Sequence, residues 1–202
     1  MSQTLKRQIE TPPQKKRHPA VMVFGLLLAI CIPLPCPLAA TEHEKCSEAN
    51  RILTGFQATA TNGPVYERPF INVKGNQKQL ADYLGQGIIL NLWATWCVPC
   101  VKEMPQLDRL KKKLSVDKIE VLALSVDRAG TPIVKRFFHR NKIKNLDVLV
   151  DRSGKILRET RTRVLPTTLL INDKGFEIGR VKGTLEWDAP KVEKFLRKCL
   201  KP

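Results

Sequence analysis

Two rhythms of apolar and polar positions organise this chain. From Gly87 to Leu92 the residues are apolar almost without a break, as in a strand buried on both faces. From Val101 onward apolar positions fall at Met104, Leu107, Leu110 and Leu114, the spacing of one helix face. Pro105 inside that helix deletes a backbone donor and predicts a kink. Ile119 to Val126 alternates and is apolar enough for a second central strand. Upstream, Phe70 to Val73 reads as a strand, and Asn76 caps an expected helix over Gln77–Leu84 that Gly85 and Gly87 terminate. Downstream, Thr131-Pro132 opens a helix running to about Asn141, Leu146 to Val150 is a short strand, and Lys155–Arg161 is a helix. Thr167 to Ile171, a turn at Asn172-Asp173-Lys174-Gly175, and Phe176 to Val181 form a hairpin, and Trp187 to Leu200 is a closing amphipathic helix. Strands alternating with helices, then a hairpin and a helix, predict an α/β sandwich with a mixed central sheet flanked by helices.

The amino-terminal pattern differs. Residues 1–19 form a basic, cytoplasmic n-region in which five Lys/Arg face one Glu, a net +4 of the chain's +16. Residues 20–40 carry no charge and read as a signal peptide or a membrane anchor. Leu38-Ala39-Ala40 is a passable cleavage site, whereas retention would leave a span with its cytoplasmic end first. Either outcome exports the rest of the chain to an extracytoplasmic, periplasmic setting. Residues 41–63 are a polar lead-in with a possible short helix over Ser47–Leu53, and residues 64–202 are the folded domain. Its basic excess suits a solvated face or attraction to an anionic membrane or acidic partner. No aromatic–basic interleaving points to nucleic acid.

The candidate chemistry is Cys97-Val98-Pro99-Cys100, where the buried strand hands over to the helix. Cys97 falls at the helix amino terminus, where unpaired N–H groups and the dipole favour a thiolate, so its pKa is expected below about 8.5. Cys100, about one turn on, is placed to close a disulfide with it. Half a zinc site is the structural alternative, but no second Cys-x-x-Cys and no His pair completes one. Neither a metal nor a cofactor is expected, and His139 reads as a surface residue beside His18 and His43. Export to an oxidising compartment leaves Cys46 and Cys199 either as a disulfide joining the two ends of the domain or as two separate thiols. Cys31 and Cys36 belong to the signal or anchor.

Trp93-Ala94-Thr95-Trp96-Cys97-Val98-Pro99-Cys100, continued by Val101-Lys102-Glu103-Met104-Pro105, resembles the active-site signature of thioredoxin-fold proteins of the TlpA/ResA branch. Leu165-Pro166-Thr167-Thr168 resembles the cis-proline loop of that fold. The resemblance covers roughly Pro64 to Leu200 and implies a thioredoxin-like fold with an amino-terminal extension and a helix–strand insert before the cis-proline. It implies that Cys97 is the nucleophile, Cys100 the resolving thiol, and Pro166 the cis-proline, with the Leu165 backbone facing the substrate. Asn91 stands where thioredoxin carries a buried aspartate. The branch instead implies Glu103 as an acid–base aid near the cysteine pair. Trp96 shields and positions the thiols, Val98 and Pro99 complete the substrate-facing surface, and Trp93 reads as core.

The implied activity is thiol:disulfide oxidoreduction: reduction of disulfides in specific clients, in respiratory cytochrome assembly, with electrons from a membrane thiol donor. The client would offer a disulfide or the cysteine pair of a metal site, and the amino-terminal segment would hold the enzyme at the inner membrane. Alternatives are a copper-site assembly module, a cytochrome c maturation reductase, and an oxidant feeding disulfides to secreted proteins. A copper carrier would want Cys-x-x-x-Cys and a later His. A peroxiredoxin would want Thr where Ala94 stands, and a maturation reductase Gly-x-Pro-Glu around Pro166.

Overall fold

All seven residues of Gly87–Trp93 are buried, and the fold is arranged to cover both faces of that strand. The computed structural model describes residues 45–59 and 67–202. In chain order these form α1 (Ala49–Ile52), β1 (Phe56–Ala58), β2 (Phe70–Asn72), β3 (Gln77–Lys78), β4 (Gly87–Trp93), α2 (Val98–Leu114) and β5 (Ile119–Ser125). There follow α3 (Thr131–Arg140), β6 (Leu149–Val150), α4 (Lys155–Glu159), β7 (Thr167–Ile171), β8 (Glu177–Lys182) and α5 (Pro190–Leu200). The described strands make one mixed sheet of eight, ordered β1-β8-β7-β4-β5-β6-β2-β3. β4–β5 and β5–β6 are parallel, and the remaining pairs are antiparallel.

The period of two along each strand decides which side chains meet. Ile89 and Trp93, with Val121, Ala123 and Leu170, pack against the apolar faces of α2 and α5. Ile88, Leu90 and Leu92, with Leu122, Leu124 and Leu169, pack on the opposite face with Phe70, Leu80 and Ile156. Asn91 shares the parity of Ile89 and Trp93 and therefore faces α2. At Gly87 a Cβ would collide with the backbone carbonyl of Leu200, so the glycine lets the end of α5 rest on the sheet. α2 runs unbroken from Val98 to Leu114, with Pro105 inside it. A second strand–helix unit, β6 and α4, lies between α3 and the loop that leads to Pro166.

Two stretches differ from expectation. Gln77–Leu84 is not a helix: Gln77 and Lys78 pair with Ile71 and Phe70 as a hairpin, followed by a single 3₁₀ turn over Leu80–Tyr83. The local chemistry is that of a turn rather than a cap. Asn72 Oδ1 accepts from the N–H groups of Lys74 (2.9 Å) and Asn76 (3.0 Å), and Gly75 takes the left-handed φ of +81° that closes the turn. The 3₁₀ turn is capped instead by Gln79 and Asp82. The boundary at residue 64 also moves, because part of the lead-in belongs to the domain. Ala49 and Leu53 are buried in the core, and β1 pairs with β8 at the sheet edge. Polar composition concealed this, since a three-residue edge strand buries little.

The expected n-region, the signal or anchor, Cys31, Cys36, His18, His43 and residues 60–66 lie outside the described residues. Among the described residues no helix is long and apolar enough to cross a membrane.

Cys46, just ahead of α1, is disulfide-bonded to Cys199 in α5, with Cα atoms 4.8 Å apart and a sequence separation of 153. Replacing both cysteines by serine is expected to lower the unfolding free energy by about 3–5 kcal/mol, since the cross-link restricts a long loop in the unfolded chain. Urea denaturation at constant pH measures this. A loss below about 1 kcal/mol would mean that loop closure contributes little here.

Candidate active site

β4 ends in the sheet interior and the chain turns sharply into α2, which places the two cysteines at that junction. Cys97 is the N-cap of α2, and Cys100 lies in its first turn. The two are joined as a disulfide, with Cα atoms 5.3 Å apart. The Cys100 N–H points at Cys97 Sγ at 3.4 Å. Cys100 is fully buried, whereas Cys97 retains 6% exposure, so Cys97 is the sulfur an incoming group reaches first.

One turn along α2, Glu103 is 2% exposed. Its Oε1 accepts from Asn91 Nδ2 at 2.7 Å and its Oε2 from Trp187 Nε1 at 3.0 Å. Asn91 Nδ2 also donates to Thr168 Oγ1 at 2.9 Å, linking β4 to β7. Burial pushes the Glu103 carboxyl up to about 7, against the hydrogen bonds from Trp187, Asn91 and the Leu185 backbone that favour its charged form. Asn91 Oδ1 is buried without a hydrogen-bond partner in this arrangement. An amide can present either end, so a turned Asn91 would accept from the protonated acid. The network thus accommodates Glu103 in both protonation states.

A second buried carboxylate, not singled out by the sequence pattern, holds the loop before Cys97. Asp127, 3% exposed at the end of β5, accepts from Thr95 N (2.9 Å), Thr95 Oγ1 (2.7 Å) and Ser125 Oγ (2.6 Å). The Val126 N–H donates to the Trp93 carbonyl at 2.9 Å, extending the β4–β5 pairing into the same loop. A Ser-x-Asp directly after an apolar strand was the available signal. Trp93 is core, fully buried and packed on Phe137 and Phe138 with ring centroids 5.1 and 5.9 Å away.

The Leu165–Pro166 bond is cis. β7 pairs with β4 so that Thr167 lies opposite Leu92, which sets Pro166 beside Trp93 at the edge where the cysteines leave the sheet. The Gly183 N–H donates to the Pro166 carbonyl at 2.9 Å. Leu165 is half-buried, while Trp96, Val98 and Pro99 project into solvent around the disulfide. Two open grooves flank it. One, of about 390 Å³, runs past Val98, Pro99, Lys102 and Glu103. The other, of about 500 Å³, is walled by Thr95, Trp96, Val126, Arg128 and Ile133. Among the described residues no three of His, Cys, Asp and Glu gather into a group that could hold a metal ion.

Comparison with known proteins agrees with this geometry. Residues 54–176 match the AhpC/TSA family. The chain is 35% identical over 127 residues to the thiol-disulfide oxidoreductase ResA of Bacillus thuringiensis subsp. konkukian, covering 63% of this chain and 71% of that protein. It is 34% identical over 173 residues to ResA of Geobacillus kaustophilus, covering 85% and 91%. Among solved structures it resembles the exposed lipoprotein thioredoxin Etrx1 of Streptococcus pneumoniae, with a TM-score of 0.57 and 29% identity over 66% of this chain and 99% of that one. The thioredoxin-like fold is established by these likenesses.

The raised Glu103 pKa has a stability consequence. Between the ordinary carboxyl value of 4.5 and about 7, the folded protein holds a proton that the unfolded chain has released. This contribution to stability is complete below the lower value and is lost as pH rises through the upper one, by about 3 kcal/mol in all. Urea denaturation of the oxidised protein from pH 4.5 to 8 should show that fall, and Glu103→Gln should flatten it. Parallel profiles for the two proteins would show that Glu103 titrates normally.

Proposed function

Because this chain belongs to the AhpC/TSA family and is a thiol-disulfide oxidoreductase of the ResA type, we propose that it works outside the cytoplasm, tethered by its amino-terminal segment, as a reductant of specific client disulfides. The observation that carries this is the Cys97–Cys100 pair at the head of α2, backed by a buried acid one turn on.

In the reduced protein the Cys97 thiolate is the nucleophile, favoured by the Cys100 N–H and the positive end of α2. It attacks one sulfur of the client disulfide. A Cys97–client S–S bond forms, the client S–S bond breaks, and one client thiolate leaves and takes up a proton. Cys100 then loses its proton and attacks the Cys97 sulfur. The Cys97–Cys100 bond forms, the mixed disulfide breaks, and the second client thiolate leaves. The client gains two electrons and two protons, and this protein ends as the disulfide described above. A membrane thiol donor returns it to the dithiol by the reverse exchange.

Cys100 is fully buried, so its proton needs a nearby acceptor. Glu103 meets that need, because a carboxyl held near 7 accepts a proton at neutral pH and gives it back with little cost either way. Asn91 and Trp187 position it. Trp96, Val98, Pro99 and Leu165 form the client-facing surface, and Pro166 packs the loop against the site. By resemblance to the branch, the clients are proteins of respiratory cytochrome assembly, offering a disulfide or the oxidised cysteine pair of a metal site.

Equilibration of the Cys97–Cys100 pair against glutathione or a reference thioredoxin tests the direction of electron flow. A potential near roughly −270 mV is expected, whereas one near about −120 mV would make the protein a disulfide donor. Cys100→Ser should accumulate a mixed disulfide with its client on non-reducing gels, and Cys97→Ser should not. Stoichiometric Cu(I) retention without turnover on any disulfide would instead favour copper-site assembly.

A further inference from the structure

We propose that the face surrounding Cys97 docks an acidic, partly apolar segment of the client protein. This rests on the reductase reading above and adds the chemical character of the client. Three large apolar side chains are presented to solvent by the segments that frame the disulfide: Trp96 is 68% exposed, Val98 67% and Val164 51%. Apolar side chains gathered on the face that must meet a partner mark a contact surface rather than ordinary scatter.

Sheet topology decides the charge of that face. Within two strands of the end of β4, the strand ends on that edge are those of β5, β6 and β8, together with the start of β7. The loops there, with the start of α2 beside them, expose Lys102, Arg128, Arg152, Arg161, Arg163 and Lys182. Glu186 is the exposed carboxylate of the same segments, and the partly buried Asp188 beyond it is paired with Arg109 at 2.6 Å. Asp127 and Asp151 also stand on this edge, but both are buried and already engaged. Asp127 is held by Thr95 and Ser125. Asp151 accepts from Ser153 Oγ and from the N–H groups of Lys155, Ile156 and Leu157. These segments therefore expose six cations against one anion. The side chains of Lys102, Arg128 and Arg163 make no ion pair among the described residues. Arg128 and Trp96 line the same groove, so one segment lying there meets a cation and an apolar wall together.

An anionic lipid surface would also suit cations beside aromatic residues. The same loops carry the disulfide, however, and a membrane lying on them would cover the sulfur that has to reach the client. A protein segment in the groove leaves it open to exchange. Such a rim acts through steering and register, and its influence falls as salt shortens the range of the field.

The test uses the full chain and two labelled peptides of equal apolar content, one with acidic and one with basic flanks around a Cys-x-x-Cys disulfide. Fluorescence anisotropy with Ser-x-x-Ser versions reads docking, and turnover of the disulfide versions reads chemistry. The acidic peptide should bind about tenfold tighter at low salt, with the advantage shrinking as salt rises. Arg128→Glu combined with Arg163→Glu should abolish or invert that preference while the thermal unfolding midpoint is kept. Equal binding of the two peptides, or preference for the basic one, overturns the proposal. If the double variant instead loses recruitment to phosphatidylglycerol vesicles with peptide affinity unchanged, the face is a membrane contact and the proposal falls. Acidic-selective docking without reduction of either peptide would overturn the reductase reading and leave the docking surface in place.

Discussion

Burial of β4 on both faces is the constraint from which the rest of the molecule follows. A strand covered above and below can end in only a few ways, and here it ends by turning directly into α2. The turn is fixed from outside by the Asp127 carboxylate and by the continued β4–β5 pairing. The cysteines inherit that rigidity. A disulfide exchange centre needs its attacking sulfur held in place while its partner sulfur stays out of reach, and the difference in burial between Cys97 and Cys100 supplies both conditions.

The same burial creates an electrostatic problem and makes use of it. Strand parity turns Asn91 toward α2, where its amide meets Glu103. A carboxylate there would be costly without partners, and the hydrogen bonds from Asn91 and Trp187 offset only part of the desolvation. The residue is left poised between charged and neutral forms, which is the condition a proton acceptor at neutral pH requires. Helix α5 begins three residues after Trp187, so the closing segment of the chain supplies both a lid for the core and a hydrogen-bond donor to the site.

Much of this was legible in the sequence. The unbroken apolar run at Gly87–Leu92 and the three-to-four spacing from Val101 identified the central strand and helix, and Cys-x-x-Cys at their junction identified the chemistry. Thr131-Pro132 located the start of α3 correctly. The failures share a physical cause, which is that short polar segments take their structure from what they pack against. Gln77–Lys78 is a strand because Phe70–Ile71 is available to pair with it, and Phe56–Ala58 is a strand because β8 has an open edge. Asp127 was missed for a related reason. An acid in a loop looks solvated until the neighbouring strand end is known to bring Thr95 against it.

The Cys46–Cys199 bond has a mechanical consequence. β1 is an edge strand of three residues, joined to the sheet along one side. A pull transmitted along the chain from its amino-terminal side would otherwise peel that strand from β8 one hydrogen bond at a time. The covalent link ahead of α1 intercepts the force and delivers it to α5, whose end rests on Gly87 at the start of the central strand. The redox centre lies at the other end of β4 and stands outside the line of tension.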